Sequence, residues 1–469
     1  MASIFQPVRQ NGTKPSTSSK LLHPNISTPN PKVISAKGSY IVLENGSRIL
    51  DASGGPGVAC IGHGNTEVRD AVVAQMDRLS YCHSLTFANQ AAEDLAREIV
   101  DSTHGVMARA TIMCSGSEAV EAGLKLARQY FVDKGETQRV HFIARKGAFH
   151  GTTLSSLALT AKAAVQKPFE PIMLNDNVSF VSMPNLYRGM YPGETEAQYV
   201  DRLTLELNEE FERIGPNRVC AFVAETVSGT SMGCLTAPSG YFKAVREICD
   251  KYSALLILDE VFCGMGRTGS MHAWEQEDVY PDIQTVAKGL AAGYAPISML
   301  LMNHRIVDAI QAGSGFFNHG HTYSSHAVAC AAALAVQRII KRDNLLQNIQ
   351  ITGDRLGRGL RAALCDHPHV GNVRGRGLMW AVEFVSDRET KEPFLLKERV
   401  AGRIKSAGLK EPWNITLNAG MGTADTVVGD HITITPPYNI TVEDVDLIVD
   451  RVKGVVEEVL GSKSWSINI

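Results

Sequence analysis

Two side chains with complementary chemistry stand at the ends of two short apolar runs. Asp259 follows residues 254–258, and Lys288 follows residues 283–287. An apolar run of that length bounded by a turn reads as a strand buried on both faces. In open α/β sheets ligands sit at the carboxyl ends of the strands, so Asp259 and Lys288 are predicted to face one crevice. An amine there can condense with an aldehyde, and a buried carboxylate can keep a heteroaromatic ring nitrogen protonated. These are the two groups that pyridoxal 5'-phosphate (PLP) chemistry requires. Read singly, each has a plainer role, the Asp as a loop hydrogen-bonder and the Lys as a solvated side chain.

The elements that must position this pair follow the same pattern. A strand at 110–113 runs into Cys114-Ser115-Gly116-Ser117 and then a helical pattern over 120–131. This turn can present backbone N–H groups to a phosphate, or Ser can simply cap the helix. A strand at 140–144 leads to Gly147-Ala148-Phe149-His150-Gly151, where Phe149 either stacks on a flat ring or fills core. A strand at 219–223 ends near Glu225, and another covers 297–302. Thr322, in the loop 317–324, can bind phosphate or cap the helix that starts near His326. Apolar periodicity predicts helices over 66–79, 90–101, 197–214, 326–342, 345–365 and 441–460. Asn45-Gly46 between β-rich runs predicts a hairpin over 39–50 with a tight primed turn. The glycine-rich stretches 51–57 and 62–64 lack a strand-turn-helix context and read as flexible loop.

Composition narrows the function classes. A net charge of −3 without basic blocks argues against nucleic acid as a partner, and no apolar run approaches membrane-spanning length. The nine cysteines are scattered with no CxxC pair, as expected of free thiols in a reducing compartment, so a cytoplasmic location is expected. Residues 1–32 carry no acidic residue, a feature shared with mitochondrial presequences. Pro7, Pro15, Pro24 and a single Arg break the amphipathic helix, so a partly disordered arm is expected. His319, His321 and His326 cluster without a suitably spaced carboxylate or thiol, and no metal site is expected.

The ordered set Asp259-Glu260-Val261, Gly264-Met265-Gly266-Arg267-Thr268-Gly269, Pro281-Asp282 and Lys288-Gly289 resembles the signature of class III aminotransferases, over about residues 22–461. The resemblance implies the aspartate-aminotransferase fold type (PLP fold type I): an α/β large domain with a mainly parallel sheet flanked by helices, plus a smaller α+β domain from both chain ends. The boundaries expected are an arm at 1–32, a first part of the small domain at 33–65, a large domain at 66–342 and the rest of the small domain at 343–469. It implies Lys288 as the cofactor-bearing lysine and Asp259 as the ring-nitrogen partner. Gly116 and Ser117 then serve the cofactor phosphate, Phe149 stacks on the ring with His150 beside it, and Val261 and Glu225 belong to the cofactor site. Thr322 reaches the phosphate of the neighbouring subunit in a homodimer with shared active sites, and the loop at 51–57 borders the substrate pocket. The reaction implied moves an amino group between an amine or amino acid and a keto acid.

One departure bears on the substrate. Ornithine-type members carry a carboxylate-binding arginine three residues before Pro-Pro, where this chain has Thr433, and residues 405–450 contain no arginine. Arg374 and Arg376 are expected to be structural. The same PLP site also serves an aminomutase, a decarboxylase and a phospho-lyase within the resembled family. A nucleotide-binding enzyme is disfavoured because no phosphate-loop motif is present, and a non-catalytic scaffold because Asp259, Lys288, Phe149 and Thr322 are all retained.

Overall fold

The computed structural model describes residues 19–23, 30–173 and 175–461. The expected N-terminal arm falls mostly on residues 1–18 and 24–29, outside the described residues. At the centre is a seven-stranded sheet. From edge to edge it runs Arg109–Met113, Ser298–Met302, Ile283–Val286, Leu255–Asp259, Val219–Glu225, His141–Arg145 and Val178–Val181. Only Ser298–Met302 runs against the rest; it pairs antiparallel with both neighbours, while the remaining pairs are parallel.

The central strands are apolar along their whole length because helices cover both faces of the sheet. Every residue of Val219–Glu225 and Leu255–Asp259 is buried. The covering helices include Gly116–Asp133, Glu196–Ile214 and Tyr241–Lys251, whose buried residues recur at three- and four-residue spacing. Parallel register aligns Glu225 with Asp259 and Asp259 with Thr285, so the ends of three adjacent strands open on one side of the sheet.

The C-terminal part is a four-stranded antiparallel sheet, Val370–Arg376, Met379–Phe384, His431–Ile434 and Asn418–Gly420, packed under Leu345–Leu364 and Val442–Leu460. Leu50, Ala52, Cys60 and Ile61, near the start of the chain, are buried in the same apolar cluster as Leu360, Trp380, Ile432 and Val456.

Two local expectations need correction. The hairpin forms between Tyr40–Leu43 and Arg48–Leu50, but its turn is not a two-residue primed turn. Gly46 alone takes a left-handed φ of 86°, and its N–H donates to Leu43 O at 2.9 Å. Asn45 keeps a negative φ, with its Oδ1 accepting from Ser47 N, so local side-chain bonding selects a longer connection. The stretch at 51–57 is not a flexible loop. Asp51 Oδ1 accepts from Gly54 N, Thr435 Oγ1 donates to Ser53 O, and Arg267 Nη2 donates to Gly57 O. Its glycines are needed for left-handed backbone, and a Cβ on Gly57 would lie 3.1 Å from the Phe262 ring.

Candidate active site

The strands deliver Asp259 and Lys288 to one cavity of about 1220 Å³. Leu255–Asp259 ends in a buried carboxylate that is fully engaged. His150 Nδ1 lies 2.7 Å from Asp259 Oδ2, while Oδ1 accepts from Val261 N and Thr285 Oγ1, each at 3.0 Å. A carboxylate held from three directions is fixed in place before anything binds. His150 Nε2 is buried and has no partner among the described residues.

Lys288 follows directly on the strand Ile283–Val286 and Ala287, and takes a left-handed φ of 40°. A non-glycine residue in that region is strained, and such strain collects at functional positions. Its ammonium lies 4.2 Å from the centre of the Phe262 ring and lines the cavity. Burial lowers the Lys288 pKa to about 8, against the opposing pull of Asp259.

At the other side of the cavity the helix Gly116–Asp133 begins, four residues earlier than its apolar pattern suggests. Ser115 caps it by accepting from Glu118 N, and Glu118 reaches back to Ser115 Oγ and Cys114 N. The N–H groups of Gly116 and Ser117 have no acceptor among the described residues. The floor here is tight: a Cβ on Gly116 would sit 2.6 Å from Val261 Cγ1, and one on Gly151 would sit 2.7 Å from Ser117 Oγ. Phe149 lies on the cavity wall with 42% of its surface bare, and Glu225 is buried at the end of its strand with Oε2 unpartnered.

The cavity thus gathers Gly116, Ser117, Phe149, His150, Glu225, Asp259, Val261 and Lys288. Thr322 is not among them; it lies exposed, its carbonyl accepting from Tyr81 Oη. Sequence reasoning missed Lys162, Thr230 and Ser231, which also line the cavity. Their setting carries no motif, and they reach the site through contacts that span the chain. It also missed that the fold sets Cys114 and Glu118 against His321, their ligand atoms all within 4.8 Å of one another. The sequence expectation that no thiol or carboxylate accompanies these histidines is corrected there, because the partners come from about two hundred residues away. Arg374 and Arg376 are structural: Arg374 pairs with Glu383, and Arg376 with Glu277. Glu260 faces away from this chemistry and accepts from Ala273 N, Trp274 N, Thr226 and Gln284.

Residues 25–456 match the family model described as Aminotransferase class-III. The chain belongs to the class III aminotransferases. It is 49% identical over 442 residues to an aminotransferase of Gibberella zeae, covering 94% of this chain and 86% of that one. It is 34% identical to the diaminobutyrate–2-oxoglutarate transaminase of Halomonas elongata, covering 92% of this chain and 91% of that one. Among solved structures it resembles a thermostable (S)-enantioselective omega-transaminase from Thermomicrobium roseum, with a TM-score of 0.85, 31% identity and coverage of 92% and 93%. As a class III aminotransferase the chain has PLP fold type I and is a PLP-dependent transaminase, moving an amino group between an amine or amino acid and a keto acid. Among the described residues no helix is long and apolar enough to cross a membrane.

Proposed function

We propose that this class III aminotransferase works from the cavity shared by Lys288 and Asp259. PLP fits the residues present: an unpartnered amine, a buried fixed carboxylate, two free N–H groups at a helix N-terminus and a bare aromatic face. When bound, the cofactor supplies a protonated heteroaromatic ring into which electrons released at a substrate carbon can spread.

Lys288 Nζ is the group that would hold the cofactor covalently. The same amine, when free, would act as the base and acid that moves a proton at the substrate carbon. Asp259 keeps the ring nitrogen protonated, and His150 holds that carboxylate in place through Nδ1. The free N–H groups of Gly116 and Ser117 would hold the cofactor phosphate, where the positive helix end favours an anion. Phe149 would stack on the ring, with Val261 and Glu225 beside it in the same cavity.

The chain acts as a homodimer with shared active sites, in which Thr322 serves the cofactor phosphate of the neighbouring subunit. Its exposure outside the Lys288 cavity of its own chain supports this, as do the exposed Tyr81, Leu85, Phe87 and Tyr323. The nine free thiols support a cytoplasmic location. The four-stranded C-terminal sheet with residues 33–65 acts as the smaller domain, beside the large domain at 66–342.

The observation that carries this reading is the strained, partly buried Lys288 facing the same cavity as Asp259. The test is a visible spectrum of the protein with PLP, followed as amines are added without any keto acid. A yellow band that an amine bleaches supports half a transamination. A band that no amine bleaches contradicts it and favours a decarboxylase, mutase or lyase reaction.

A further inference from the structure

The cavity contains a second amine that the proposed chemistry does not use. Lys162 Nζ donates to two backbone carbonyls, Ser231 O at 2.5 Å and Met421 O at 2.7 Å. An ammonium has three donors, so one remains for the cavity that Lys162 lines. Burial lowers its pKa to about 8, which leaves it mostly charged at neutral pH. Glu225 supplies an opposing negative charge, but no direct ion pair links the two. Instead, Glu225 Oε1 accepts from Ser231 Oγ at 3.1 Å. Thr230, the residue before Ser231, presents a buried Oγ1 without a partner to the same cavity.

The arginines that could do the work of binding a carboxylate are occupied. Arg374 is paired with Glu383, and Arg267 is spent on the carbonyls of Gly57, Leu378 and Pro436. Thr433, at the position where ornithine-type members carry arginine, is buried in the C-terminal sheet and does not line the cavity. Arg399 lines the cavity but is solvent-exposed, where a charge pair contributes little.

We infer that Lys162, with the Thr230 hydroxyl, anchors the substrate carboxylate and so selects carboxylated partners for this transaminase. The inference rests on the transaminase reading of the same cavity. An enclosed cation whose own hydrogen bonds go to neutral carbonyls is stabilised when an anion reaches its remaining donor, and a charge-assisted bond to a carboxylate is stronger than one between neutral groups. The Met421 contact joins this anchor to the C-terminal sheet region, so a bound carboxylate also touches a group that bridges two parts of the chain.

The test compares pyruvate with propanal as amino acceptors for the holoenzyme, using one amine without a carboxylate as donor. Lys162→Met is expected to lower the ratio of kcat/KM for pyruvate over propanal by roughly 10- to 100-fold, chiefly through the KM for pyruvate. Lys162→Arg is expected to keep that ratio within a few-fold. Thr230→Val leaves Lys162 and its two carbonyl partners in place, and is expected to lower the ratio by roughly 3- to 10-fold. That variant decides the matter if Lys162→Met fails to fold. Equal losses on both acceptors would mean that Lys162 is only a structural tie, and would overturn the inference. So would a ratio that responds to Arg399→Ala but not to Thr230→Val or Lys162→Met. If no amine bleaches the yellow band of the wild-type protein, the transaminase reading itself fails; an unchanged ratio in active variants refutes the anchor alone.

Discussion

His150 Nδ1 sits 2.7 Å from Asp259 Oδ2, with both side chains at least 95% buried. A buried imidazole can face a carboxylate at that distance only by donating, so the carboxylate is held as an acceptor with a fixed direction. Removing the carboxylate charge with Asp259→Asn should lower kcat by roughly 10²- to 10³-fold, the scale of a lost preorganised electrostatic group. His150→Phe should cost about 10- to 100-fold, because it frees the carboxylate without removing it. Steady-state kinetics of both variants at saturating PLP check this; His150→Phe costing more than Asp259→Asn would contradict the ordering.

The Lys288 amine should control how fast the cofactor-free protein takes up PLP. Only the neutral amine attacks an aldehyde, and burial brings the pKa down from 10.5 to about 8. The rate should therefore rise with pH through about 8 and level off above it. Asp259 favours the ammonium, so Asp259→Asn should shift that midpoint to lower pH. Stopped-flow absorbance of PLP binding across pH measures both; a midpoint near the ordinary lysine value would show that the amine is not enclosed.

Gly116→Ala tests the floor of the site. The new Cβ would lie 2.6 Å from Val261 Cγ1, so Val261 must move. The backbone is already helical there, and alanine favours a helix by about 1 kcal/mol over glycine. PLP affinity should fall by at least tenfold while Tm changes little. Spectroscopic PLP titration and a melting curve check it, and unchanged affinity would remove Val261 from the cofactor site.

Glu260 should matter for stability rather than turnover. Each carboxylate oxygen accepts two donors, Oε1 from Thr226 and Trp274 N, Oε2 from Ala273 N and Gln284. In Glu260→Gln the new amide must point its N–H groups at donors, at a cost of about 1–3 kcal/mol. Urea unfolding of the cofactor-free protein measures this. A change below 0.5 kcal/mol, on the order of a neutral surface substitution, would contradict it.

The parts of the site legible in the sequence are those written locally. Asp259 and Lys288 each follow a short apolar run, and a strand fixes where its last residue points. Gly116 and Ser117 were legible for the same reason, since a strand and a helix meet across them. Lys162 was not, because its significance lies in Ser231 and Met421, 69 and 259 residues away. The strand Asn418–Gly420 carries residues that disfavour β structure and forms only because it pairs with His431–Ile434. The burial of the 51–57 stretch was hidden likewise. Its glycines look like loop residues until Arg267, Thr435 and Phe262 close around them.

Borohydride reduction followed by peptide mapping tests most directly whether Lys288 carries the cofactor. Reduction freezes the covalent link, so the mass of a reduced pyridoxyl phosphate should fall on the peptide containing Lys288 and vanish in Lys288→Ala along with turnover. Lys162 is the informative control, since it is a second amine in the same cavity with a pKa also near 8. Label on Lys162, or turnover near the wild-type level in Lys288→Ala, would contradict the account.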